Sequence, residues 1–270
     1  MRESIDGASF AQAMIHAAAS LNLQKQQINE LNVFPVPDGD TGTNMSLTLG
    51  TAAAELRKRQ PHTVGEAAAT NASALLRGAR GNSGVILSLL FRGFAKAVKD
   101  KDTIDGRDLA IALDFGVAAA YKAVMKPAEG TILTVSRLTA ARAADAARQT
   151  PNDPEAVLEA AIAEGQLALE HTTEMNPVLK KAGVVDAGGK GFLVILQGML
   201  DSLRGVPMPE GDGEGEAKVE SKTDYAAIAA EEITFTFDTV FIVRKTSPHK
   251  GLEAFEAYLN SIGDSLVIGE

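Results

Sequence analysis

The spacing of apolar residues along the chain predicts eight long helices. In the first of them Phe10, Met14, Ala17, Leu21 and Ile28 recur near the period of an α-helix. This helix should stop ahead of VFPVP, because proline disfavours the helical conformation in the residue before it. Similar start and stop signals mark the ends of the other predicted helices. The predicted helices span residues 8–31, 43–59, 64–77, 85–98, 107–124, 132–148, 154–171 and 190–203.

The connections between these helices differ in composition according to their order. Short connections favour antiparallel neighbours, so all odd-numbered connections of an up-and-down arrangement lie at one end. These connections hold glycine clusters and unusual acids: PVPDGDTGTN, RGARGNSG, KPAEGT and GVVDAGGKG. The even-numbered ones, RQPHTV, AVKDKDTIDG and ARQTPNDP, are merely polar and charged. We therefore predict an all-α, up-and-down antiparallel fold with its functional face at the odd end.

The pattern changes after residue 203. GVPMPEGDGEGEAKVESK is rich in Pro, Gly and acids, which is typical of a linker. ITFTFDTVFIV and DSLVIGE read as strands around an amphipathic helix, GLEAFEAYLNSI. We predict a helical domain over 1–205, a flexible acidic linker over 206–224 and the beginning of a small α/β domain over 225–270. A lone β-α-β unit cannot cover both sheet faces, so we expect the chain to stop inside that domain.

Composition narrows the class of protein. Abundant Ala with only 5% aromatic residues favours helix-on-helix packing, and a net charge of −9 argues against a nucleic-acid surface. The absence of Cys excludes disulfides and thiolate metal sites. The N-terminus lacks a signal peptide's apolar core, and the run GVILSLLF is too short to span a membrane. We predict a cytoplasmic protein and leave open whether it forms a homodimer.

The most unusual stretch, NVFPVPDGDTGTNMS, places Asp38 and Asp40 between two prolines and a helix start. Their carboxylates would lie ~6–7 Å apart in an extended loop and would repel by ~3 kcal/mol at an effective dielectric constant of about 20. A hard cation converts that repulsion into ligation, and oxygen ligands suit Mg²⁺. Thr41, Thr43 and Asn44 follow at the helix start, where free N–H groups favour an anion. The loop is predicted to hold a metal-bound phosphate.

Two simpler interpretations compete for this loop. A solvated turn is the commonest role of an isolated Asp-Gly-Asp. A calcium loop is excluded, because the twelfth position counted from Asp38 is Leu49 rather than Glu. The flanking prolines and the clustering of odd-numbered connections favour the metal–phosphate site over the turn.

The glycine cluster GARGNSG is a second candidate for phosphate binding. Gly81, Asn82 and Ser83 precede an apolar helix, so their N–H groups could converge on an anion, with Arg80 adding charge. Glycines at such junctions also serve turning or close packing, and the cluster alone does not decide between these roles.

The last two odd-numbered connections carry weaker signals. Thr131 is positioned to cap a helix, and Asp186 could be an ordinary turn acid. The GGKG that follows is not a P-loop, because Gly191 comes after Lys190 and Val184 stands where the leading glycine should be.

Four ordered motifs resemble those of a known family: LNVFPVPDGDTGTNM, GARGNSGVILS, PAEGTILTV and GVVDAGGKG. They look like the ATP-binding domain of dihydroxyacetone-kinase L subunits, the DhaL-like or DAK2 family. More closely, they resemble the N-terminal domain of the bacterial fatty acid kinase ATP-binding subunit. The resemblance covers residues 4–204. It implies an antiparallel barrel of eight helices that holds ATP or ADP and a pair of Mg²⁺ ions at one end.

The resemblance also implies roles by position. Asp38 and Asp40 match the metal-binding acids of the catalytic site. The positions that match the nucleotide site are Thr41, Asn44, Gly81, Asn82, Ser83, Thr131 and Asp186. The dihydroxyacetone-kinase pattern has a His after the second acid and a further Asp upstream, where this chain has Thr41 and, approximately, Asn32. The difference favours the fatty acid kinase branch and leaves open whether Asn32 ligates metal through its neutral oxygen.

The activity implied by the resemblance is transfer of the ATP γ-phosphoryl group to a fatty acid. Its carboxylate would be presented by a separate acyl-binding protein of the DegV type, whose docking region is expected to lie outside this chain. A carboxylate is already ionised at neutral pH, so no general base is needed. Two alternatives remain open: a dihydroxyacetone-type small-molecule kinase, and a regulatory module that binds nucleotide without turnover.

Overall fold

A computed structural model describes residues 3–210 and 251–263, together with 239, 243 and 266. Strands β1 (Ile5–Asp6) and β2 (Thr103–Ile104) form one short antiparallel pair. The described helices are α1 (Gly7–Asn29), α2 (Thr41–Arg59), α3 (Val64–Gly78), α4 (Gly81–Ala97), α5 (Gly106–Ala123), α6 (Ile132–Gln149), α7 (Pro154–Met175), α8 (Pro177–Ala182), α9 (Ala187–Leu203) and α10 (Glu253–Ile262). The all-α prediction is confirmed.

Side chains cap most of the long helices. A capping oxygen accepts from a first-turn N–H and so satisfies a donor that has no helical partner. The residues that cap in this way are Asp6, Thr63, Asp105, Thr131, Asp153 and Asp186. Helices α2 and α4 differ, because neither Asp40 nor Arg80 makes a side-chain cap bond. Of the eight long helices described, these two lack a side-chain cap, and both start in glycine-rich connections that the sequence singled out.

The eight long helices form a closed antiparallel ring. Each packs against the next long helix in the chain, and α9 completes the ring against α1. Glycine allows the closest contacts: a methyl group on Gly93 of α4 would lie 2.2 Å from the carbonyl oxygen of Phe115 in α5. Phe10 of α1 stacks on Phe94 of α4 with ring centroids 5.4 Å apart, so large side chains fill the centre of the ring. The predicted up-and-down barrel is confirmed.

The even-numbered connections meet at one end of the barrel. The N–H of Val64 donates to the carbonyl of Asp102 at 3.0 Å, and the N–H of Arg107 donates to that of Pro151 at 3.0 Å. Antiparallel order places the glycine-rich and acidic connections at the other end. None of the helices described is both long and apolar enough to cross a bilayer.

The observed helices begin earlier than predicted at three connections. Helix α2 begins at Thr41 rather than 43, α4 at Gly81 rather than 85, and α9 at Ala187 rather than 190. Glycines that read as loop residues lie in the first helical turn, where their lack of a side chain permits close packing.

Other departures lie near the C-terminal half of the chain. Asn176 caps the short helix α8, which lies in a stretch predicted to be a connection. The helix predicted from GLEAFEAYLNSI is present as α10. The linker after residue 210 and the two predicted strands fall outside the described residues, apart from isolated positions.

Candidate functional site

The acidic loop runs from the end of α1 directly into α2. Its Phe34–Pro35 peptide bond is cis, and Gly39 takes the left-handed conformation with φ of 68°. Asp38 is exposed and Asp40 is half-buried. Asp40 occupies the N-cap position of α2, yet its carboxylate does not cap the helix. The Asp40 carboxylate is therefore left available to a ligand.

Asn32, three residues after the end of α1, holds this loop in place. Its side chain is only 2% exposed. The Oδ1 atom accepts from the N–H of Asp40 at 3.1 Å, the N–H of Thr41 at 2.9 Å and the hydroxyl of Thr41 at 2.7 Å. The Nδ2 atom donates to the carbonyl of Val36 at 2.9 Å. The Asn32 amide thus bridges both sides of the loop that carries the two acids.

Asn29 makes a matching pair of bonds one turn earlier. Its Oδ1 accepts from the N–H of Thr43 and its Nδ2 donates to the hydroxyl of Thr43, both at 3.0 Å. The N–H of Asn44 donates to the carbonyl of Asp40 at 2.8 Å. The N–H groups of Thr41, Thr43 and Asn44 therefore all have acceptors inside the protein. The expectation that the start of α2 offers free N–H groups to an anion is wrong at these positions, because the side chains of Asn32 and Asn29 accept from Thr41 and Thr43 and the carbonyl of Asp40 accepts from Asn44.

At the start of α4, in contrast to α2, the first N–H groups have no acceptor in the described part of the chain. Its N-cap, Arg80, is extended and makes no side-chain cap bond, and Gly81 has φ of 56°. The N–H of Gly84 is the first in α4 to reach a helical acceptor, the carbonyl of Arg80 at 3.0 Å. Within the described part of the chain, the N–H groups of Gly81, Asn82 and Ser83 donate to no protein atom. Adjacent unpaired donors at a helix start are an arrangement that favours an anion.

The Arg80 side chain points back to the preceding helix. Its guanidinium donates to the carbonyls of Ala79 at 2.9 Å and Gly78 at 3.4 Å. The Arg80 guanidinium, which was predicted to add positive charge to the glycine cluster, is therefore anchored at the C-terminal end of α3.

Helix α2 brings the acidic loop and the start of α4 together. The hydroxyl of Thr48 accepts from the N–H of Arg80 at 3.1 Å and donates to the carbonyl of Asn44 at 2.7 Å. A methyl group on Gly81 would lie 2.5 Å from the side-chain nitrogen of Asn44. Asn44, one helical turn after Asp40, therefore lies against the first residue of α4.

Thr131 and Asp186 cap the helices that follow the other two odd-numbered connections. The Thr131 hydroxyl accepts from the N–H of Leu133 at 3.4 Å. The Asp186 carboxylate accepts from the N–H of Gly189 at 2.7 Å and from the N–H of Ile132, which links the starts of α9 and α6. Burial raises the pKa of Asp186 to about 6, against the opposing effect of these two N–H groups. No hydrogen bond in the described residues joins this pair to the acidic loop.

The Glu129 carboxylate, which the sequence analysis did not single out, organises the connection KPAEGT before α6. Glu129 accepts from the hydroxyls of Thr134 at 2.6 Å and Tyr121 at 3.0 Å, and from the guanidinium of Arg137 at 2.8 Å. The Thr134 hydroxyl is the main reason that the pKa of Glu129 is lowered. The spacing of Thr134 and Arg137, one turn apart on the following helix, could have indicated this network.

The donor set fits magnesium. Among the described residues, no group of three or more His, Cys, Asp or Glu side chains is placed to hold a metal ion. Mg²⁺ in phosphate sites commonly uses one or two protein carboxylates and takes its other oxygens from phosphates and water. Asp38 and Asp40 are two carboxylates of one loop, which is the number that such a site takes from the protein.

Comparison with known proteins gives one family and a consistent set of relatives. A family model described as the DAK2 domain matches residues 35–201. Protein YloV of Bacillus subtilis is 41% identical over 273 residues, covering 98% of this chain and 49% of that protein. An uncharacterized protein of Staphylococcus haemolyticus is 40% identical over 273 residues, with 99% and 49% covered. The chain spans about half the length of these relatives.

Solved structures with a similar fold include the dihydroxyacetone kinase of C. freundii. The native form aligns with a TM-score of 0.52 and 22% identity, over 75% of this chain and 35% of that one. The same kinase in complex with AMP-PNP and Mg²⁺ aligns with a TM-score of 0.55 and 20% identity, with the same coverage. At this level of identity the likeness concerns the fold.

Proposed function

Because this chain belongs to the DAK2 domain family, we propose that it is the nucleotide-binding domain of a kinase that uses Mg²⁺. One observation carries the proposal: the contact of Asn44 with Gly81 sets the acidic loop beside the unpaired N–H groups of α4. The C. freundii kinase of similar fold has been crystallised with AMP-PNP and Mg²⁺, which supports the same ligands here.

Each part of the site has a distinct task in this proposal. Asp38 and Asp40 would hold Mg²⁺, with two ions as the expected number, and the metal would neutralise charge on the phosphates. The N–H groups of Gly81, Asn82 and Ser83 bind phosphate oxygens, which positions the nucleotide without a charged side chain. Asn44 contacts the nucleotide from α2. The residues that fix the surrounding backbone are Thr41, Thr43, Arg80, Thr131 and Asp186.

The proposed acceptor is a fatty acid carboxylate held by a separate acyl-binding protein of the DegV type. Thr41 supports this choice, because it follows Asp40 where a dihydroxyacetone-type kinase has a histidine. Thr41 is buried and its hydroxyl donates to Asn32, so it offers no base to an alcohol. A carboxylate needs none, since it is ionised at neutral pH. The products are an acyl phosphate and ADP, formed in the cytoplasm where ATP is available.

Calorimetry of ADP binding with and without Mg²⁺ tests the nucleotide site. Asp38→Asn and Asp40→Asn should each weaken Mg²⁺-dependent binding by more than about tenfold, since each removes a charged ligand. Asp114→Asn, at an exposed position of α5, is the matched control and should bind as the wild type does. Circular dichroism should show an unchanged helical fold. Unaltered binding in both loop variants, or no binding by the wild type, would refute the proposal.

The acceptor requires the full-length protein, with and without a fatty-acid-loaded partner. Transfer of the γ-phosphoryl group of ATP to the fatty acid is the expected result. Phosphorylation of dihydroxyacetone instead would identify a small-molecule kinase. Binding of Mg²⁺ and nucleotide with no transfer to either acceptor would identify a regulatory module.

A further inference from the structure

We propose that Asn29 and Asn32 are positioning residues that set the acidic loop through hydrogen bonds, and that Asn32 is not a ligand of the metal. The part concerning metal affinity rests on the proposed function. The part concerning the loop rests only on the contacts of the described residues.

The Asn32 oxygen has no capacity left for a cation. An amide oxygen has two lone pairs, and this one already accepts from two N–H groups and one hydroxyl, at 2.7 to 3.1 Å. A cation at this oxygen would displace donors on Asp40 and Thr41. Because Asn32 is buried, those donors would be left without water, which is costly.

The oxygen and the nitrogen of the Asn32 amide each hydrogen-bond to one side of the loop. Its oxygen fixes the N–H of Asp40, and its nitrogen fixes the carbonyl of Val36. Asp38 lies between these two anchored residues, so the backbone that carries both acids is fixed before any ligand arrives. Groups of this kind, which orient metal ligands without touching the metal, contribute strongly to metal affinity.

Asn29 holds the other side of the same junction. Its amide makes both a donated and an accepted bond to Thr43. This reach requires α1 and α2 to touch: a methyl group on Gly42 would lie 2.1 Å from the carbonyl oxygen of Lys25. Asn29 therefore fixes the first turn of α2, directly after Asp40.

The chain offers a matched control in Asn22. This residue also lies on α1 and also accepts from α2, through the hydroxyl of Ser46 at 3.2 Å. It sits two turns of α1 away from Asn29 and away from the acidic loop. Asn22→Ala therefore removes an amide from the same contact between α1 and α2 without changing a residue that bonds to the acidic loop.

Hydrogen exchange in the metal-free protein tests the positioning role. In the wild type, the N–H groups of Asp40, Thr41 and Thr43 should be protected. Asn32→Ala should raise exchange at Asp40 and Thr41, Asn29→Ala should raise it at Thr43, and Asn22→Ala should change none of these. Unchanged exchange at Asp40 and Thr41 in a folded Asn32→Ala protein would overturn the proposal.

Binding of Mn²⁺ in the presence of ADP, followed by electron paramagnetic resonance, tests the effect on metal. Both Asn32→Ala and Asn29→Ala should weaken Mn²⁺ binding by about 10–100-fold, while Asn22→Ala leaves it unchanged. A loss confined to Asn32→Ala would identify Asn32 as a ligand and overturn the proposal. Should Asn32→Ala fail to fold, Asn29→Ala against Asn22→Ala decides the question, since equal affinity in those two contradicts positioning.

The two arms separate this inference from the proposed function. Failure of the wild type to bind Mn²⁺ with ADP would refute the kinase site. The exchange pattern of the metal-free protein would still confirm or overturn the positioning role of Asn29 and Asn32.

Discussion

A methyl group on Gly81 would lie 2.5 Å from the side-chain nitrogen of Asn44, so the first residue of α4 rests against the first turn of α2. Gly81 also has φ of 56°, a conformation that residues with side chains rarely adopt. Both the space and the backbone therefore require glycine at the point where the acidic loop meets the start of α4. The proposed site, which joins the carboxylates of the loop to the unpaired N–H groups of α4, depends on this contact.

Gly81→Ala should weaken nucleotide binding by about tenfold or more, because the left-handed backbone and the contact with Asn44 cost about 1–3 kcal/mol at the binding surface. Gly50→Ala is the matched control within α2, since no heavy atom lies within 4 Å of the added methyl group. It should bind normally and raise the free energy of unfolding by about 0.5–1 kcal/mol. Calorimetry and thermal melting of both variants provide the measurement; normal binding by Gly81→Ala would contradict the proposed role of α4.

Asp186→Asn should change the pH dependence of stability. The pKa of Asp186 is raised from 3.8 to about 6 in the folded protein, so the folded state binds this proton more tightly than the unfolded state does. The resulting stabilisation is complete below a pH of about 4 and is lost as the pH rises through 6, a loss of about 3 kcal/mol by pH 7. An uncharged Asn has no such loss.

The measurement is urea denaturation of both proteins between pH 4 and 7.5. Whatever offset the altered hydrogen bonds introduce, the stability of Asp186→Asn relative to the wild type should increase with pH. A difference that stays constant over this range would show that Asp186 is not held in a strongly desolvated site.

Thr134→Val should destabilise the connection KPAEGT, which leads into α6. The fully buried Thr134 hydroxyl accepts from the N–H of Gly130 at 2.8 Å and donates to Glu129. Valine keeps the shape but leaves that N–H unsatisfied, at a cost of about 1–3 kcal/mol. The pKa of Glu129, followed by carboxyl NMR, should rise toward its ordinary value. Thr134→Ser retains both bonds and is the control; equal stability of the two variants would contradict the assigned bonds.

Asn71→Leu should stabilise the barrel. Asn71 lies in α3 with no solvent exposure, and within the described residues neither its side-chain oxygen nor its nitrogen has a hydrogen-bond partner. Replacing an unsatisfied amide by an apolar group of similar shape should raise the free energy of unfolding by about 1–3 kcal/mol. Chemical denaturation measures this. A decrease in the free energy of unfolding would contradict this prediction and would show that the Asn71 amide binds a buried water molecule. Asn71→Ala would then also lower the free energy of unfolding.

The extent of the long helices was accessible from the sequence because its determinants are local. The residue before Pro35 marked the end of the first helix to within a few positions, and apolar periodicity placed the others. The parity of the connections then assigned the acidic loop and the glycine clusters to one end of the barrel. These inferences needed only short connections and antiparallel order.

The starts of α4 and α9 were less accessible for a physical reason. Glycine both breaks helices and permits close packing, and composition does not distinguish the two uses. In α4, Gly84 serves close packing rather than helix breaking, because a methyl group there would lie 2.5 Å from the Thr48 hydroxyl oxygen. That contact exists only once α2 and α4 are adjacent.

By itself the sequence determined the helices, their antiparallel order and the end at which the acids and glycines gather, since capping, proline and periodicity act over a few residues. Only the tertiary structure decided how the hydrogen-bond donors at that end are shared. Asn29 at the end of α1 accepts from the N–H of Thr43, and Asn32 just after α1 accepts from the N–H of Thr41, while nothing in the described residues accepts from the N–H of Gly81. Which helix start stays open to an anion depends on contacts between segments distant in the chain, and local composition does not encode those contacts.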